Sequence, residues 1–161
     1  MVDVMSSAVR SALMSRIKAK NTKPELIVRR SLWARGFRFG LHSKRLAGRP
    51  DLVLPKWKAV VFVHGCFWHA HAGCPFFRLP KTRPEFWAEK LDANRRRDLA
   101  AINSLMQNGW RVGVVWECAL RLDETSVIDG LQIWLTGSTK NVEIRAKAGV
   151  IAIDELSSLE I

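Results

Sequence analysis

The first strong pattern of apolar and polar positions predicts a helix within residues 21–36, NTKPELIVRRSLWARG. Thr22 and Glu25 have the spacing of a capping box, Pro24 lies in the expected first turn, and Gly36 is placed to end the helix. Four apolar residues recur at roughly helical spacing: Leu26, Ile27, Leu32 and Trp33. We therefore predict an amphipathic helix with these four side chains on its apolar face.

The next segment predicts strands. Residues 37–48, FRFGLHSKRLAG, are expected to form a strand and a loop. Within residues 50–65, PDLVLPKWKAVVFVHG, two β-branched apolar runs flank a Pro-Lys-Trp-Lys turn, a pattern typical of a hairpin. Asp51 begins the first run and His64 ends the second, so both lie at strand ends.

The rest of the chain alternates helices with strands. Residues 82–109 predict one or two helices ending at a glycine. Their candidate core positions are Leu91, Leu99, Ile102 and Leu105. Residues 110–118 are apolar enough for a strand buried on both faces, 124–137 predict a shorter helix, and 141–153 predict a peripheral pair of strands. This alternation indicates α/β layers around a mixed sheet.

Length and composition fit one compact domain over residues 1–161, since 48% of the residues are hydrophobic. No apolar run approaches the roughly 18 residues of a membrane span, and the N-terminus lacks the continuous apolar segment of a secretory signal. We therefore expect a cytosolic protein without a membrane partner. In that reducing compartment the three cysteines favour metal binding or burial over disulfides.

Charge is spread unevenly along the chain. The net charge is +11, and residues 1–50 hold 12 Lys or Arg against 2 acids, residues 51–100 hold 9 against 5, and residues 101–161 hold 5 against 8. An N-terminal excess of this kind favours a polyanionic partner such as nucleic acid, whose phosphates Lys and Arg neutralise. A solubilising surface is the alternative explanation.

Residues 61–77, VFVHGCFWHAHAGCPFF, hold three of the four histidines and two of the three cysteines. The spacing Cys-x4-His-x2-Cys in this loop, together with a distant cysteine after another strand, supplies a ligand set suited to tetrahedral zinc. These residues are Cys66, His71, Cys74 and Cys118. His69 is an equally spaced alternative to His71, and three buried thiols with an incidental histidine are the alternative to zinc. Four protein ligands would leave no open position, so such a zinc would be structural.

The strand ends carry a second set of candidate groups. Asp51 offers the oxygen ligand that a hard metal prefers, and His64 or His69 near a metal-bound water is suited to general base catalysis. Each has an ordinary explanation as well, because Asp51 after a proline fits a turn and His64 after an apolar strand fits a core position.

Six separated motifs occur in the order MSRIKAKNTKPE, GRPDLVL, VFVHGCFWHAHAGC, PKTRPEFWAEK, RRRD and GWRVGVVWECAL. This series, from about Met14 to Leu120, resembles the very short patch repair (Vsr) family of DNA mismatch endonucleases. The resemblance implies an α/β fold of the restriction-endonuclease-like PD-(D/E)xK type, a mixed β-sheet flanked by helices with a structural zinc site. It also implies an enzyme that nicks DNA 5′ to the thymine of a T·G mismatch left by deamination of 5-methylcytosine.

The resemblance further implies the roles of the candidate catalytic residues. Asp51 corresponds to the magnesium ligand, and the main-chain carbonyl of Val63 to a second ligand. His69 corresponds to the general base and His64 to a residue that contacts the scissile phosphate or the leaving group.

Two acids, Glu25 and Asp98, correspond to residues near that site that orient waters or the general base. A capping box is the alternative role for Glu25, and an ordinary position on a helix surface is the alternative for Asp98.

The remaining correspondences concern zinc and DNA. The structural zinc ligands that the resemblance implies are Cys66, His71, Cys74 and Cys118. The side chains that would wedge into the base stack beside the mismatch are Phe67, Trp68 and Trp87, for which core packing is the alternative. Met14 corresponds to a residue of a basic N-terminal DNA-binding arm or helix, residues 1–20, that approaches the opposite groove.

The chain departs from the family pattern at a few positions. Val63 stands where a family member has Thr, which a main-chain ligand tolerates, and Gly73 adds a residue before Cys74 relative to some members. The superfamily pattern would place a second acid and a lysine around Phe62 and His64, and neither is present. Histidine is therefore expected to replace lysine in managing protons, with a 5′-phosphate and a 3′-hydroxyl as products at the nick.

The implied partner is double-stranded DNA with a T·G mismatch, with mismatch-repair proteins and a DNA polymerase acting downstream. A monomer in the bacterial cytosol or nucleoid is expected, with Mg²⁺ as catalytic and Zn²⁺ as structural cofactor. The alternative functions are a restriction-like endonuclease that cuts matched duplex DNA and a zinc-stabilised DNA-binding module without catalysis.

Overall fold

A computed structural model of the protein describes residues 6–16 and 20–156. Its helices are α1 (Ser7–Ser15), α2 (Lys23–Ala34), α3 (Pro84–Gln107), α4 (Glu117–Leu122) and α5 (Glu124–Thr136). Its strands are β1 (Gly40–Leu41), β2 (Leu52–Leu54), β3 (Ala59–His64), β4 (Arg111–Trp116), β5 (Val142–Lys147) and β6 (Val150–Glu155). A single 3₁₀ turn, Pro55–Trp57, connects β2 to β3.

The six strands form one sheet in the order β1-β2-β3-β4-β5-β6. The pairs β1/β2, β2/β3 and β5/β6 are antiparallel, whereas β3/β4 and β4/β5 are parallel. The predicted mixed sheet and the predicted hairpin of β2 and β3 are therefore confirmed. In the parallel pair, His64 lies opposite Trp116, so the carboxyl ends of β3 and β4 meet at one edge of the sheet.

Two apolar cores cover the two faces of this sheet. Successive residues of β3 alternate between them, with Val61 and Val63 in one core and Val60 and Phe62 in the other. Helices α2 and α5 pack on the first face and α3 packs on the second. The carboxyl end of β3 is therefore flanked by a helix on each side. Within the described residues, no helix combines the length and apolar composition needed to cross a membrane.

Helix α2 is present as predicted, but its buried face differs from the predicted one. Trp33 is 53% exposed, and the guanidinium of Arg38 lies 3.7 Å from its ring centroid. The fully buried apolar residues of the helix are Val28 and Leu32. Glu25 lies on this same face, because residues spaced three and four apart along a helix form one row. The helix therefore directs a carboxylate into the protein.

Other elements refine the predicted boundaries. Residues 82–109 contain one helix, α3, of 24 residues, in which Leu99 is only partly buried. The strand predicted over residues 110–118 ends at Trp116, because helix α4 begins at Glu117. Of the predicted strand and loop in residues 37–48, only the two residues of β1 are strand.

The predicted N-terminal arm is described in part. Within residues 1–20, the helix α1 is capped by Ser6 and buries none of its residues. Residues 1–5 and 17–19 of this arm lie outside the described residues. Met14 is exposed on α1, as are Val9 and Leu13.

Candidate active site

The candidate active site lies at the carboxyl end of β3. Asp51 immediately precedes β2, and the antiparallel pairing of Leu52 with Val61 brings Asp51 alongside the end of β3. The backbone N–H of Val63 donates a hydrogen bond of 2.7 Å to Asp51 Oδ2. The next residue, His64, ends the strand. The hairpin therefore places an acid and a histidine, 13 positions apart in the sequence, at the same edge.

A cluster of two carboxylates and an imidazole forms around Asp51. Glu25 is 2% exposed, and its Oε2 accepts hydrogen bonds from the backbone N–H of Asn21 at 3.0 Å and from Arg29 Nη2 at 2.9 Å. His42 Nε2 lies 3.0 Å from the same oxygen and 3.7 Å from Asp51 Oδ1. The ligand-type atoms of Glu25, His42 and Asp51 all lie within 4.8 Å of one another.

The electrostatics of this cluster favour a cation. Burial raises the pKa of Asp51 to about 7, and the nearby Glu25 carboxylate acts in the same direction. The hydrogen bond from Val63 and the charge of Arg29 oppose that increase. Mg²⁺ prefers hard oxygen ligands and would relieve the repulsion between the buried carboxylate of Glu25 and the half-buried one of Asp51. The residues present therefore fit a magnesium ion held by Asp51, with Glu25 beside it.

A second cluster joins two histidines to an acid of α3. The rings of His64 and His69 stack with their centroids 3.8 Å apart and their planes 4° apart. Asp98 Oδ2 lies 2.5 Å from His69 Nδ1. Since Nδ1 is paired with the acid, the other ring nitrogen of His69 is the one available to a substrate.

His64 differs from His69 in its surroundings. Its side chain is buried and Trp116 packs edge-on against its ring at 5.2 Å. Burial lowers the pKa of His64 well below the usual value, and the neighbouring His69 and His71 act in the same direction. His64 is therefore neutral at neutral pH and is suited to donating or accepting a hydrogen bond rather than adding charge.

The four predicted zinc ligands lie together. Cys66, His71, Cys74 and Cys118 are all buried, and their ligand-type atoms lie within 4.8 Å of one another. The distance from Cys118 Sγ to His71 Nδ1 is 3.6 Å. Tetrahedral zinc with bonds of about 2.0–2.3 Å places neighbouring ligand atoms about 3.5–3.8 Å apart. A hydrogen bond from the Cys66 thiol lowers the pKa of Cys118, which favours the thiolate that zinc requires. The same bond raises the pKa of Cys66, so Cys66 would lose its proton only when zinc binds.

The structure separates His71 from His69, which their spacing in the sequence could not do. The ring of His71 stacks on Trp116 at 3.9 Å and joins the cysteines, whereas His69 joins His64 and Asp98. Ala70 between them has a left-handed backbone, with φ at 48°, and this reversal directs the two histidines to different clusters.

The three predicted wedge residues form an aromatic cluster outside both cores. The ring centroids of Phe67 and Trp68 are 5.1 Å apart, those of Phe67 and Trp87 are 5.6 Å apart, and those of Trp68 and Trp87 are 6.0 Å apart. Lys90 Nζ lies 5.8 Å from the Trp68 ring and 5.4 Å from the Trp87 ring. All three aromatic residues are half-buried, and none belongs to either apolar core.

The family model for the DNA mismatch endonuclease Vsr matches residues 2–74. The type II nicking enzyme V.XorIIP of Xanthomonas oryzae is 49% identical over 120 residues, which cover 74% of this chain and 88% of the relative. The DNA mismatch endonuclease Vsr of Escherichia coli is 40% identical over 148 residues, which cover 89% of this chain and 94% of the relative. The chain belongs to the Vsr DNA mismatch endonuclease family.

Membership of the Vsr family makes the protein a DNA-cleaving endonuclease. The resemblance predicted from the six motifs is confirmed, and the non-catalytic binding module is set aside. The mixed sheet flanked by helices is the scaffold of this Vsr-family enzyme, and the clusters at the end of β3 are its candidate catalytic groups.

Two residues of this Vsr-family site were not predicted from the sequence. His42 and Arg29 both contact Glu25, yet neither belongs to a motif singled out above. His42 lies 17 positions after Glu25 and 9 before Asp51, so only the fold brings them together. The available signal was that His42 is the one histidine outside the loop of residues 61–77.

Proposed function

We propose that this protein is a Mg²⁺-dependent endonuclease that nicks one DNA strand 5′ to the thymine of a T·G mismatch, in very short patch repair of deaminated 5-methylcytosine. The observation that carries the proposal is the meeting of two different clusters at the end of β3. Glu25 and Asp51 form one cluster, which Val63 contacts, and His64, the next residue, forms the other cluster with His69 and Asp98. The half-buried aromatic cluster follows in the same loop.

The carboxylate cluster would hold the metal. Asp51, with the main-chain carbonyl of Val63, would bind Mg²⁺, and the buried Glu25 would orient its waters. When bound, Mg²⁺ would lower the pKa of a water and offset negative charge on the phosphate. Because Val63 also donates to Asp51 Oδ2, one peptide segment of β3 would orient both ligands.

The imidazole pair would manage protons. His69 would take a proton from the attacking water, and Asp98 would hold the ring in the required tautomer and stabilise the imidazolium that forms. The water oxygen would form the new bond to phosphorus as the P–O3′ bond breaks. The neutral His64 would donate a hydrogen bond to the phosphate or the departing O3′, and a solvent water would supply the proton that makes O3′ a hydroxyl. The products would be a 5′-phosphate and a 3′-hydroxyl.

The zinc cluster would fix the loop that carries these groups. Cys66, His71 and Cys74 belong to the loop and Cys118 belongs to α4, so one zinc would tie the loop to a helix after the adjacent strand. The backbone N–H of Cys66 also donates to Glu117 at the start of α4. This attachment would hold His69 and the aromatic cluster in a constant relation to β3.

The aromatic cluster would provide the selectivity for a mismatch. Insertion of Phe67, Trp68 and Trp87 into DNA requires base pairs to unstack, which costs a few kcal/mol per step. A mismatched pair opens more easily than a matched pair, so the cost is lower at T·G. Met14 of α1 and the basic arm of residues 1–20 would approach the opposite groove.

The proposal extends to the setting of the reaction. We place the enzyme in the bacterial cytosol, at the nucleoid, as a monomer with one domain over residues 1–161. Mismatch-repair proteins and a DNA polymerase would act after the nick. Two relatives are named as type II nicking enzymes, which supports cleavage of a single strand here.

One nicking assay tests the proposal. Duplexes with either strand labelled and with T·G, T·A, T·C or A·C at one position would be incubated with excess enzyme, with Mg²⁺ or with EDTA. We expect a nick in the strand with the thymine, 5′ to that base, only with T·G and Mg²⁺. Equal cleavage of T·A would instead support the restriction-like alternative, and undiminished cleavage in EDTA would contradict the role of Mg²⁺.

A further inference from the structure

His42 contacts both carboxylates of the candidate metal site. Its Nε2 lies 3.0 Å from Glu25 Oε2 and 3.7 Å from Asp51 Oδ1. Asn21 and Arg29 donate to Glu25, and Val63 donates to Asp51. Arg29 Nη2 also lies 3.2 Å from His42 Nε2, but its two hydrogens are taken by its hydrogen bonds to Glu25 and to Asn21 Oδ1, so His42 Nε2 can carry the proton that it donates. His42 is therefore placed between the two acids, whereas those other donors each bind one of them.

The backbone of His42 is held in an uncommon conformation. Its φ is 45°, in the left-handed region that residues other than glycine rarely adopt. Its N–H points to the carbonyl oxygen of Asp51 at 3.4 Å, directly after β1 pairs with β2. Strained backbone of this kind persists where surrounding structure enforces it, and it concentrates at functional sites. The main-chain carbonyl of Asp51 thus holds the backbone of His42, and the side chain of His42 in turn approaches the Asp51 carboxylate.

We infer that His42 is a positioning residue of the catalytic metal site, whose Nε2–H donates to Glu25 and keeps that carboxylate in register with Asp51. The inference rests on the proposed function, because the two acids are taken as the groups that hold Mg²⁺ and orient its waters. Two neighbouring carboxylates with little solvent around them repel each other, so a donor between them sets their separation before a metal binds. Groups behind metal ligands typically change metal affinity or activity by about 10–100-fold when removed.

Three substitutions separate the side-chain role from the backbone role. In His42→Gln the amide nitrogen reaches about as far as Nε2 and still donates. In His42→Asn the side chain is too short to reach Glu25, although Asn tolerates the left-handed backbone better than most residues. In His42→Ala the donor is absent altogether. Ser43→Ala, in the same loop, is the matched control.

The first measurement is the Mg²⁺ concentration at half-maximal nicking, on whichever duplex the wild-type enzyme cuts. We expect His42→Asn and His42→Ala to raise it by about 10–100-fold. His42→Gln should stay within about threefold of wild type, and Ser43→Ala should be unchanged. A role in folding alone would lower the melting temperature of the variants without producing this ranking.

The second measurement does not depend on cleavage. Binding of Mn²⁺ to the DNA-free protein, followed by electron paramagnetic resonance, should weaken in the same order for His42→Asn and His42→Ala. Wild-type metal dependence in His42→Asn, or a defect in His42→Gln equal to that in His42→Ala, would overturn the inference. Failure of the proposed function would appear instead in the wild-type enzyme, as cleavage that needs no Mg²⁺ or does not prefer T·G.

Discussion

At Asp51, the ionised carboxylate that a metal would bind also destabilises the metal-free fold. Its carboxylate is half-buried beside Glu25, and the loss of solvent around it raises its pKa to about 7. An acid whose pKa is raised on folding stabilises the fold when protonated, and that stability is lost as the pH rises from about 4, where the unfolded chain ionises, to about 7. Above pH 7 the metal-free protein therefore carries an unfavourable charge at this position.

We predict that Asp51→Asn abolishes nicking but stabilises the Mg²⁺-free protein. Asn still accepts the hydrogen bond from Val63 and donates to Glu25, while it removes the buried charge. Each pKa unit is worth about 1.4 kcal/mol, so we expect a gain of about 1–3 kcal/mol in the free energy of unfolding at pH 8. Denaturant unfolding at pH 5 and pH 8 measures it, and the gain should be smaller at pH 5. A lower free energy of unfolding for Asp51→Asn than for the wild type at pH 8 would contradict this prediction. Gel shifts on T·G DNA should show that the variant still binds the mismatch.

Asp98 allows a test of the imidazole pair. We predict that Asp98→Asn slows single-turnover nicking by about 10²–10³-fold, because it removes the charge that holds His69 Nδ1 and stabilises the imidazolium. Mn²⁺ binding to the free protein should not change, since the carboxylate cluster is separate. Asp92→Asn, which alters an exposed acid of the same helix paired with Arg96, is the control and should keep its rate. A rate for Asp98→Asn equal to the control would remove Asp98 from the mechanism.

At the residue scale, the sequence predicted which residues belong to the candidate site better than it predicted which residues they contact. The motifs pointed to Glu25, but helical spacing allowed both a cap and a site residue, and the structure has features of both. Thr22 Oγ1 accepts from the N–H of Glu25, and the Glu25 carboxylate accepts from Asn21 while facing Asp51. His42 had no local signal, because its contacts come from residues 17 and 9 positions away that only the sheet brings near.

Among the elements, the loop between β3 and α3 concentrates the chemistry. It begins directly after His64, contains three ligands of the cysteine and histidine cluster, and presents aromatic rings against α3. Periodicity predicted the strand before it and the helix after it, because both are long and regular. It did not predict α4, since a six-residue helix shows less than two turns of periodicity and its sequence continues the apolar run of β4.

Trp68 tests the loop as a selectivity element. We predict that Trp68→Ala slows nicking of T·G DNA and lowers the ratio of the nicking rates on T·G and T·A DNA. The reason is that the variant inserts one ring fewer, so the difference in unstacking cost between the two duplexes affects the rate less. Each loss of 1.4 kcal/mol in the difference between the activation free energies on the two duplexes reduces the ratio of their nicking rates about tenfold. Phe76→Ala is the control, since Phe76 is an exposed aromatic residue of the same loop that contacts Arg121 instead of the aromatic cluster. An unchanged ratio in single-turnover assays would exclude Trp68 as a wedge, and a large loss of melting temperature would make it a core residue.

The cysteine cluster tests the attachment of that loop to α4. We predict about one zinc per chain in the purified protein, and loss of that zinc in Cys118→Ser. Structural zinc contributes about 10–16 kcal/mol in small peptides, but two apolar cores make this domain less dependent on it. A fall in melting temperature of about 5 °C or more is expected, with slower nicking. Metal analysis measures the zinc content and thermal melts measure the loss of stability. A zinc-free wild type that folds and nicks normally would show that the cysteines are buried thiols and not zinc ligands.

For the whole molecule, the sequence predicted the mixed sheet and, apart from α4, the order in which helices and strands alternate from α2 onward. The prediction succeeded because the two parallel neighbours, β3 and β4, are apolar except for His64 and Arg111 and are separated by a long helix, as a buried crossover requires. The side chains that face each core were less predictable. Trp33 lies outside the core because Val28 and Leu32 already complete the buried row of α2.

The uneven charge of the whole molecule predicts where DNA is held. Binding of DNA releases counterions, so log K falls with log salt by about 0.9 for each phosphate that the protein neutralises. If the N-terminal arm contacts phosphates, Arg16→Gln with Lys20→Gln should make this slope shallower by about 2. Lys140→Gln with Lys147→Gln removes the same charge from exposed positions near the opposite end of the chain and should leave the slope unchanged. Fluorescence anisotropy with a labelled T·G duplex, from about 50 to 200 mM KCl without Mg²⁺, measures both slopes. Equal changes in the two double variants would show that net charge, and not the N-terminal arm, determines binding.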